Sequence, residues 1–437
     1  MMNRFCPAIA ILFFLLLFPG LSSGYSVLTH EEVVDLLWTD QIQPLLLKRY
    51  PNSSPQQLRQ AHAFAYGGCV IQDMGYYPFG NKYFSDLVHY VRSGDFVEAL
   101  LRDAKDLNEY AFALGALAHY ASDISGHPTI NRVVAIEFPK LRKKYGNEVT
   151  YEDDPKAHIR TEFGFDMEQV AKNRYTSDRY HDFIGFEVAK PLLERAFVDT
   201  YDVKLDDVFG DADLAIGSYR RSVSVWIPAM TRIALLSERK ELVKDTPNFD
   251  KKKFLYYLSR KQYEHDWGTE YRRPGLGTRT LAFLLRILPK VGPLSATKFE
   301  IPTQQTEDMY IKSVNLTVEN YSALLRQAGG VSSDFSDRDL DTGHDTQAGE
   351  YHLADKTYAR LVDDLSKKAS GPVSAELQKS VLDFYADPKG PVATQKKKKD
   401  WKKLQEDLAK LKTQTLGPPS SSLASPAAKP VGTPAAQ

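Results

Sequence analysis

The amino-acid sequence predicts an all-α protein, and three observations support this class. Most segments carry apolar residues at three- and four-residue spacing, the period of an amphipathic helix. Alternating strand patterns that lead into hairpin turns are scarce. The 437-residue chain is 43% hydrophobic and 26% charged, as globular proteins are. Its 56 basic and 56 acidic residues cancel, so nucleic acid is not an expected partner, and no feature predicts a stable protein partner.

Residues 1–24 have the features of a secretory signal peptide. Arg4 precedes an apolar run over 8–18, which is too short to cross a bilayer comfortably. Small residues ending at Gly24 predict cleavage near that position, so the mature chain would begin at Tyr25 and be secreted or periplasmic. An uncleaved N-terminal anchor is the alternative. Cleavage would leave Cys69 as the one cysteine, which excludes an intrachain disulfide.

The remaining chain divides into a helical domain over 25–245, a helical region of unknown role over 246–387 and a disordered tail over 388–437. Helices are predicted in the domain over 33–49, 55–69, 83–92, 95–107, 108–124, 160–173, 182–201 and 214–236. The second region contains predicted helices over 278–288, 305–327 and 349–367, with a Gly-, Ser- and Asp-rich loop over 328–345. In the tail, a short exposed helix is predicted over 400–411, before a Pro-, Ser- and Ala-rich end.

The most informative motif is His119-x-x-x-Asp123-x-x-x-His127. Residues four apart lie on one face of a helix, so the first two side chains point the same way, and His127 follows just past the predicted helix end. A single His-x-x-x-acid pair is weak, since about one is expected by chance at this composition, but the triple is far rarer. The surrounding helix is apolar, and a buried carboxylate requires a partner or a metal ion. A His–Asp hydrogen-bond pair in the core is the alternative.

Further polar residues stand in apolar surroundings between positions 30 and 162. These residues are His30, Asp73, His89, His158 and Glu162. Together with the triple they provide the imidazole and carboxylate donors that zinc binds. The other histidines have no such partners and are interpreted as surface or core residues; they are His62, His181, His265, His344 and His352.

The order of these motifs resembles the zinc-dependent phospholipase C family, in the branch that includes the N-terminal domain of GPI-specific phospholipase D. The shared motifs are Leu28-Thr29-His30, Asp73 before Gly75-Tyr-Tyr-Pro, His89, His119-x-x-x-Asp123, Ile124-Ser-Gly-His127, and His158 with Glu162 before Phe163-Gly-Phe-Asp166. The resemblance extends over 25–230. The step of four from Asp123 to His127 is similar to the GPI-specific branch, since it is longer in the bacterial enzymes.

The resemblance implies a helical domain, similar to that of the single-strand nucleases, that holds up to three zinc ions. His89, His119 and Asp123 would hold one ion, His127, His158 and Glu162 a second, and His30, Asp123 and the amine of Tyr25 a third. Asp73 is the implied general base. Family members often begin with Trp where this chain has Tyr25.

The expected function is therefore that of a secreted zinc-dependent phosphodiesterase that hydrolyses phospholipids at a membrane surface with a zinc-activated water. The resemblance leaves open whether the cut is of the C type or the D type. One alternative is a single-strand-specific zinc nuclease, although that group tends to carry Asp where this chain has Glu162. The other alternative is a non-catalytic, zinc-stabilised binding protein.

Overall fold

A computed structural model describes residues 26–172, 175, 185–227, 299–330, 334–367, 373–386 and 392–417. These residues form α1 (Val27–Leu37), α2 (Gln43–Arg49), α3 (Pro55–Gly68), α4 (Lys82–Tyr90), α5 (Ser93–Asp103), α6 (Leu107–Glu137), α7 (Pro139–Tyr145), α8 (Pro155–Ala171), α9 (Lys190–Tyr201), α10 (Leu205–Phe209), α11 (Ala212–Arg221), α12 (Gln304–Ala328), α13 (His352–Lys367), α14 (Ala375–Phe384) and α15 (Lys398–Thr413). No strand occurs among them, which confirms the all-α class. No helix in the described part of the chain has the length and apolarity needed to cross a membrane.

Helix α6 is the central element of the fold. Its start is fixed by Asp106, whose side chain accepts a hydrogen bond of 2.9 Å from the backbone amide of Glu109. Helix α6 packs most extensively against α3 and α12, and it also contacts α1, α5 and α8. Glycines bring α3 and α6 close together: a β-carbon placed on Gly68 would lie 2.0 Å from the carbonyl oxygen of Phe112. This close packing sets the position of the polar face of α6 relative to the end of α3.

The prediction that α6 ends near residue 124 is wrong. The helix continues through His127 and Pro128 to Glu137. Proline normally interrupts a helix because its ring displaces the carbonyl four residues earlier, here that of Ile124. Long-range hydrogen bonds flank this position: Asn320 of α12 donates to the Ser125 hydroxyl at 2.9 Å, and Asn131 donates to the Asp341 carbonyl at 3.0 Å. His127 is therefore held on the same helical face as His119 and Asp123.

The second region packs directly on the first. Helix α12 lies along α6, and the Tyr321 hydroxyl donates to the Leu114 carbonyl at 2.9 Å. The ring of Tyr310 stacks on Phe165 of α8 with centroids 4.4 Å apart. Buried side chains of both regions belong to one continuous apolar cluster. Separation of α12 from α6 and α8 would therefore expose core residues of the helices that carry the polar motifs.

Part of the predicted tail is folded. Helix α15 packs against α13, and Leu404 and Leu411 on its inner face are buried. The prediction of disorder over 388–437, with only an exposed helix, is wrong for this part. The apolar residues of α15 recur at helical spacing, so burial of that stripe offsets the polarity of its lysine-rich sequence.

Other boundaries differ by a few residues. Helix α1 begins at Val27 rather than at 33, and α8 begins at Pro155 rather than at 160, so both include residues of the predicted site. Several predictions lie outside the described residues. These are the signal peptide over 1–24, Tyr25, His181, His265, the helix over 278–288, the boundary near 245 and the end of the tail from 418.

Candidate metal centre

The predicted site residues of the described chain come from five separate elements. Helix α1 carries His30, the 3-10 turn Ile71–Tyr76 carries Asp73, and α4 carries His89. Helix α6 carries His119, Asp123 and His127, and α8 carries His158 and Glu162. Each of these side chains is at most 3% exposed. The structure therefore brings residues that are far apart in sequence into one buried cluster.

Asp123 lies at the centre of the cluster. Its Oδ2 atom is 3.0 Å from His119 Nε2, 3.5 Å from His89 Nε2 and 3.8 Å from His127 Nε2. Its Oδ1 atom is 3.6 Å from His30 Nε2. One carboxylate thus faces four imidazoles, each through the same ring nitrogen.

Backbone carbonyls orient two of these rings. His89 Nδ1 lies 2.8 Å from the carbonyl oxygen of Ser85, and His119 Nδ1 lies 3.0 Å from that of Cys69. Donation of the Nδ1 proton to a carbonyl leaves Nε2 as the basic nitrogen, which is the usual arrangement of metal-binding histidines. The His30 ring stacks on that of His119 with centroids 4.3 Å apart.

His127, His158 and Glu162 form a second group beside the first. Their potential ligand atoms lie within 4.8 Å of one another. His158 uses Nε2 to contact the Val149 carbonyl at 2.6 Å, and its Nδ1 faces Glu162 Oε1 at 3.2 Å. In this group Nδ1 of His158 is therefore the nitrogen directed at the other potential donors.

The imidazoles of the cluster differ in their electrostatics. Burial opposes protonation of His89 and His119, but the nearby carboxylates of Asp123 and Asp73 outweigh it and raise the pKa of both rings. Burial, with a contribution from the neighbouring His127, lowers the pKa of His158 to about 4. Burial and the adjacent His119 also lower the pKa of His30 well below its usual range. Burial opposes ionisation of Asp123, but His119 and His127 outweigh it and hold the pKa of that carboxyl well below its ordinary value.

The donor set fits zinc. Neither carboxylate oxygen of Asp73 or Asp123 has a hydrogen-bond partner among the described residues, nor has Nε2 of His119, although all are buried. Buried polar atoms without partners are costly, and an ion removes that cost. Two ligand atoms on one zinc lie at most about 4.2 Å apart, twice the metal–ligand distance. The nitrogen–oxygen distances around Asp123, and the 3.5 Å from His89 Nε2 to Asp73 Oδ1, are within this limit.

Two acidic residues that the sequence did not assign to the site are close to it. Asp341, from the second region, places Oδ1 3.9 Å from His127 Nε2. Asp166 of α8 accepts a hydrogen bond of 3.0 Å from the Leu28 amide and one of 2.8 Å from the Thr29 hydroxyl, so it fixes the start of the helix that carries His30. Asp166 follows Glu162 by four residues, and that helical spacing was the available signal. Asp341 had no such signal.

His62 lies outside the cluster and has a buried partner that the sequence did not reveal. Its Nε2 atom is 2.8 Å from Asp35 Oδ1, and its ring stacks on Trp38 with centroids 3.7 Å apart. The Tyr66 hydroxyl donates to the same carboxylate. These hydrogen bonds connect α1 to α3 outside the cluster.

Comparison with protein families gives a match over the segment that carries most of the cluster. Residues 29–209 match the family model of zinc dependent phospholipase C. This part of the chain belongs to the zinc-dependent phospholipase C family. The match confirms the family that the sequence motifs indicated, and it includes each of the clustered residues named above except Asp341. A search of curated proteins and a search of solved structures found no significant match.

The match to the zinc-dependent phospholipase C family over residues 29–209 implies a phosphodiesterase hydrolase and supports phospholipid hydrolysis in general. The helical fold agrees with that family. The groups that could hold metal combine His30, His119 and Asp123; Asp73, His89 and His119; and His127, His158 and Glu162.

Proposed function

We propose that the chain is a secreted phosphodiesterase that hydrolyses phospholipids at a membrane surface with a zinc-activated water. The family match supports phospholipid hydrolysis as the general reaction. The observation that carries the metal part of the proposal is the setting of Asp123, a fully buried carboxylate with four imidazole Nε2 atoms between 3.0 and 3.8 Å from its oxygens.

The proposed ligands follow the family pattern for three ions. His89, His119 and Asp123 would hold one ion, His127, His158 and Glu162 would hold a second, and His30, Asp123 and the amine of Tyr25 would hold a third. When bound, zinc supplies positive charge that lowers the pKa of a coordinated water to about 7. Contacts with backbone carbonyls orient the rings of His89 and His119. Their basic Nε2 atoms therefore face the site in the absence of metal.

Asp73 is the proposed general base. Its carboxylate is fully buried, and both oxygens lack a hydrogen-bond partner among the described residues, so they are available to accept a proton. Its position on a short 3-10 turn, 3.5 Å from His89 Nε2, holds it at the edge of the cluster. The attacking water gives its proton to Asp73, its oxygen bonds to phosphorus, and the ester oxygen on the opposite side leaves and takes up a proton.

The test uses purified mature chain with matched carboxylate variants. Zinc per chain is counted, and turnover of phosphatidylcholine, phosphatidylinositol and single-stranded DNA is measured side by side. We expect close to three zinc ions and turnover of a phospholipid, with activity falling by about 100-fold or more in Asp73→Asn because a general base contributes that much. The control is Asp213→Asn, which removes a 79% exposed carboxylate on α11 and should leave turnover unchanged.

A chain without bound metal, or with equal activity in Asp73→Asn and Asp213→Asn, would contradict the proposal. Hydrolysis of DNA alone would assign the site to a single-strand nuclease instead. The products from a responding phospholipid decide between the C-type cut, which releases a phosphorylated head group, and the D-type cut, which releases the head group without phosphate.

Secretion has its own test. N-terminal sequencing of the exported protein should begin at Tyr25, since the small residues before it form the proposed cleavage site. A mature chain that still begins at Met1 would contradict both the cleavage and the assignment of the Tyr25 amine as a ligand.

A further inference from the structure

Asp341 is a buried carboxylate that reaches the metal centre from outside the family-matched segment. It is 3% exposed, and its Oδ1 atom lies 3.9 Å from His127 Nε2. Its Oδ2 atom accepts hydrogen bonds from the hydroxyls of Tyr90, at 2.8 Å, and Tyr351, at 2.6 Å. The two oxygens therefore have different surroundings: one is held by tyrosines and the other faces the cluster.

The loop that carries Asp341 is fixed to the elements of the site. The amide of Leu340 donates to the carbonyl of His89 at 3.1 Å, and Asn131 of α6 donates its side-chain amide to the carbonyl of Asp341 at 3.0 Å. Gly343 has a φ of 72°, and a β-carbon on it would lie 2.5 Å from the Ile124 carbonyl oxygen. Only glycine fits that conformation and that close approach. The position of Asp341 thus depends on contacts with the helices that carry His89 and His127.

His127 provides an independent indication of an ion at this position. The residue is 2% exposed, and neither ring nitrogen has a hydrogen-bond partner among the described residues. Its Nε2 atom lies between two carboxylates, 3.8 Å from Asp123 Oδ2 and 3.9 Å from Asp341 Oδ1. These distances are too long for hydrogen bonds, but both are within the limit of about 4.2 Å for two ligands of one zinc.

We infer that Asp341 is a further carboxylate ligand of the metal centre, on the ion that His127 holds with His158 and Glu162. This inference rests on the proposed function, because it assumes that the cluster binds zinc. With Asp341 the proposed ligands of this ion would number four side chains, the number that a tetrahedral zinc site accepts. The hydroxyls of Tyr90 and Tyr351 orient the carboxylate, as outer hydrogen bonds do for other ligating side chains.

The experiment measures zinc binding directly, with zinc alone as the ligand. Wild type, Asp341→Asn, Tyr351→Phe and Asp345→Asn are loaded with zinc and titrated with a chelator of known affinity. Asp345 is the matched control, because it lies on the same loop but its side chain is 64% exposed and pairs with Arg338 at 3.6 Å. We expect Asp341→Asn to release one zinc with affinity reduced by about 100-fold, and Tyr351→Phe to weaken the same zinc by about 10-fold. Asp345→Asn should match wild type.

The outcomes distinguish a failure of the inference about Asp341 from a failure of the proposed function. Equal zinc content and affinity in Asp341→Asn, Asp345→Asn and wild type would overturn the inference and leave Asp341 as a hydrogen-bond acceptor only. A wild type that binds no zinc would contradict the proposed function itself. If Asp341→Asn does not fold, as judged by circular dichroism, Tyr351→Phe decides: it keeps the carboxylate, so unchanged zinc affinity overturns the inference and weakened affinity supports it.

Discussion

The close contact between α3 and α6 predicts that a larger side chain at Gly115 destabilises the protein. Gly115 lies one turn before His119, and a β-carbon on it would sit 2.1 Å from the Ala65 carbonyl oxygen and 3.0 Å from the Cys69 nitrogen. The clash is with backbone, which no side-chain rotation relieves. Gly115→Ala therefore requires the two helices to separate by about 1 Å before contacts become acceptable.

The expected cost exceeds the gain in helix propensity. Alanine favours a helix over glycine by about 1 kcal/mol. Overpacking of a close contact costs about 1–3 kcal/mol, and a backbone collision is at the upper end, so the net loss of stability should be about 2 kcal/mol. The same separation lengthens the contact from His119 Nδ1 to the Cys69 carbonyl, now 3.0 Å, and misplacement of a catalytic group by about 1 Å can reduce turnover by about 100-fold.

The assay compares Gly115→Ala with Gly217→Ala by thermal unfolding of the zinc-loaded chain and by phospholipid turnover. Gly217 lies in α11, and a β-carbon there would meet nothing within 4 Å, so alanine should raise the unfolding midpoint. The two identical substitutions should thus shift the midpoint in opposite directions. A Gly115→Ala chain as stable and as active as wild type would refute the reasoning that close helix contact positions the site.

Two further predictions concern metal and pH. Removal of zinc with a chelator should lower the free energy of unfolding by about 3–4 kcal/mol, the value that linkage gives for a ligand present at several hundred times its dissociation constant. Added zinc should restore the stability, and an unchanged urea midpoint would argue against bound metal. Burial and the charge of Asp95 raise the pKa of Asp337 from 3.8 to about 7, so the stability gained from its protonated form is complete below pH 3.8 and is lost as pH rises through about 7. Asp337→Asn removes that titration, so stability should fall less between pH 5 and pH 8 in the variant than in wild type; parallel pH profiles would contradict this.

Local spacing was enough to predict the part of the site that lies on one helix. His119, Asp123 and His127 are four residues apart, and a periodic pattern reports which side chains share a helical face. The all-α class followed from the same period and is confirmed. The roles of the individual ligands stay predictions, because the order of motifs, rather than any measured binding, indicates them.

Long-range packing decided what the sequence could not show. Pro128 predicts a helix end by local rules, yet α6 continues past it to Glu137. Leu404 and Leu411 had helical spacing inside a lysine-rich segment, and the polarity of that segment obscured the apolar stripe that α13 buries. Asp341 lies in a loop rich in Gly, Ser and Asp, where no local pattern distinguishes a buried carboxylate from a solvated one.

The described residues of the second region, 246–387, support the metal centre directly. Tyr310 of α12 shares a 2.8 Å hydrogen bond with the hydroxyl of Thr29, which itself donates to Asp166, so α12 helps to fix the residue directly before His30. The amide of Leu340 satisfies the carbonyl of His89, a group at the end of α4 that its own helix leaves unpaired. The family segment supplies the donors that face Asp123, and the region beyond it holds two of the elements that present them. Buried ligands depend on such support, because a donor displaced by about 1 Å no longer shares an ion with its neighbours.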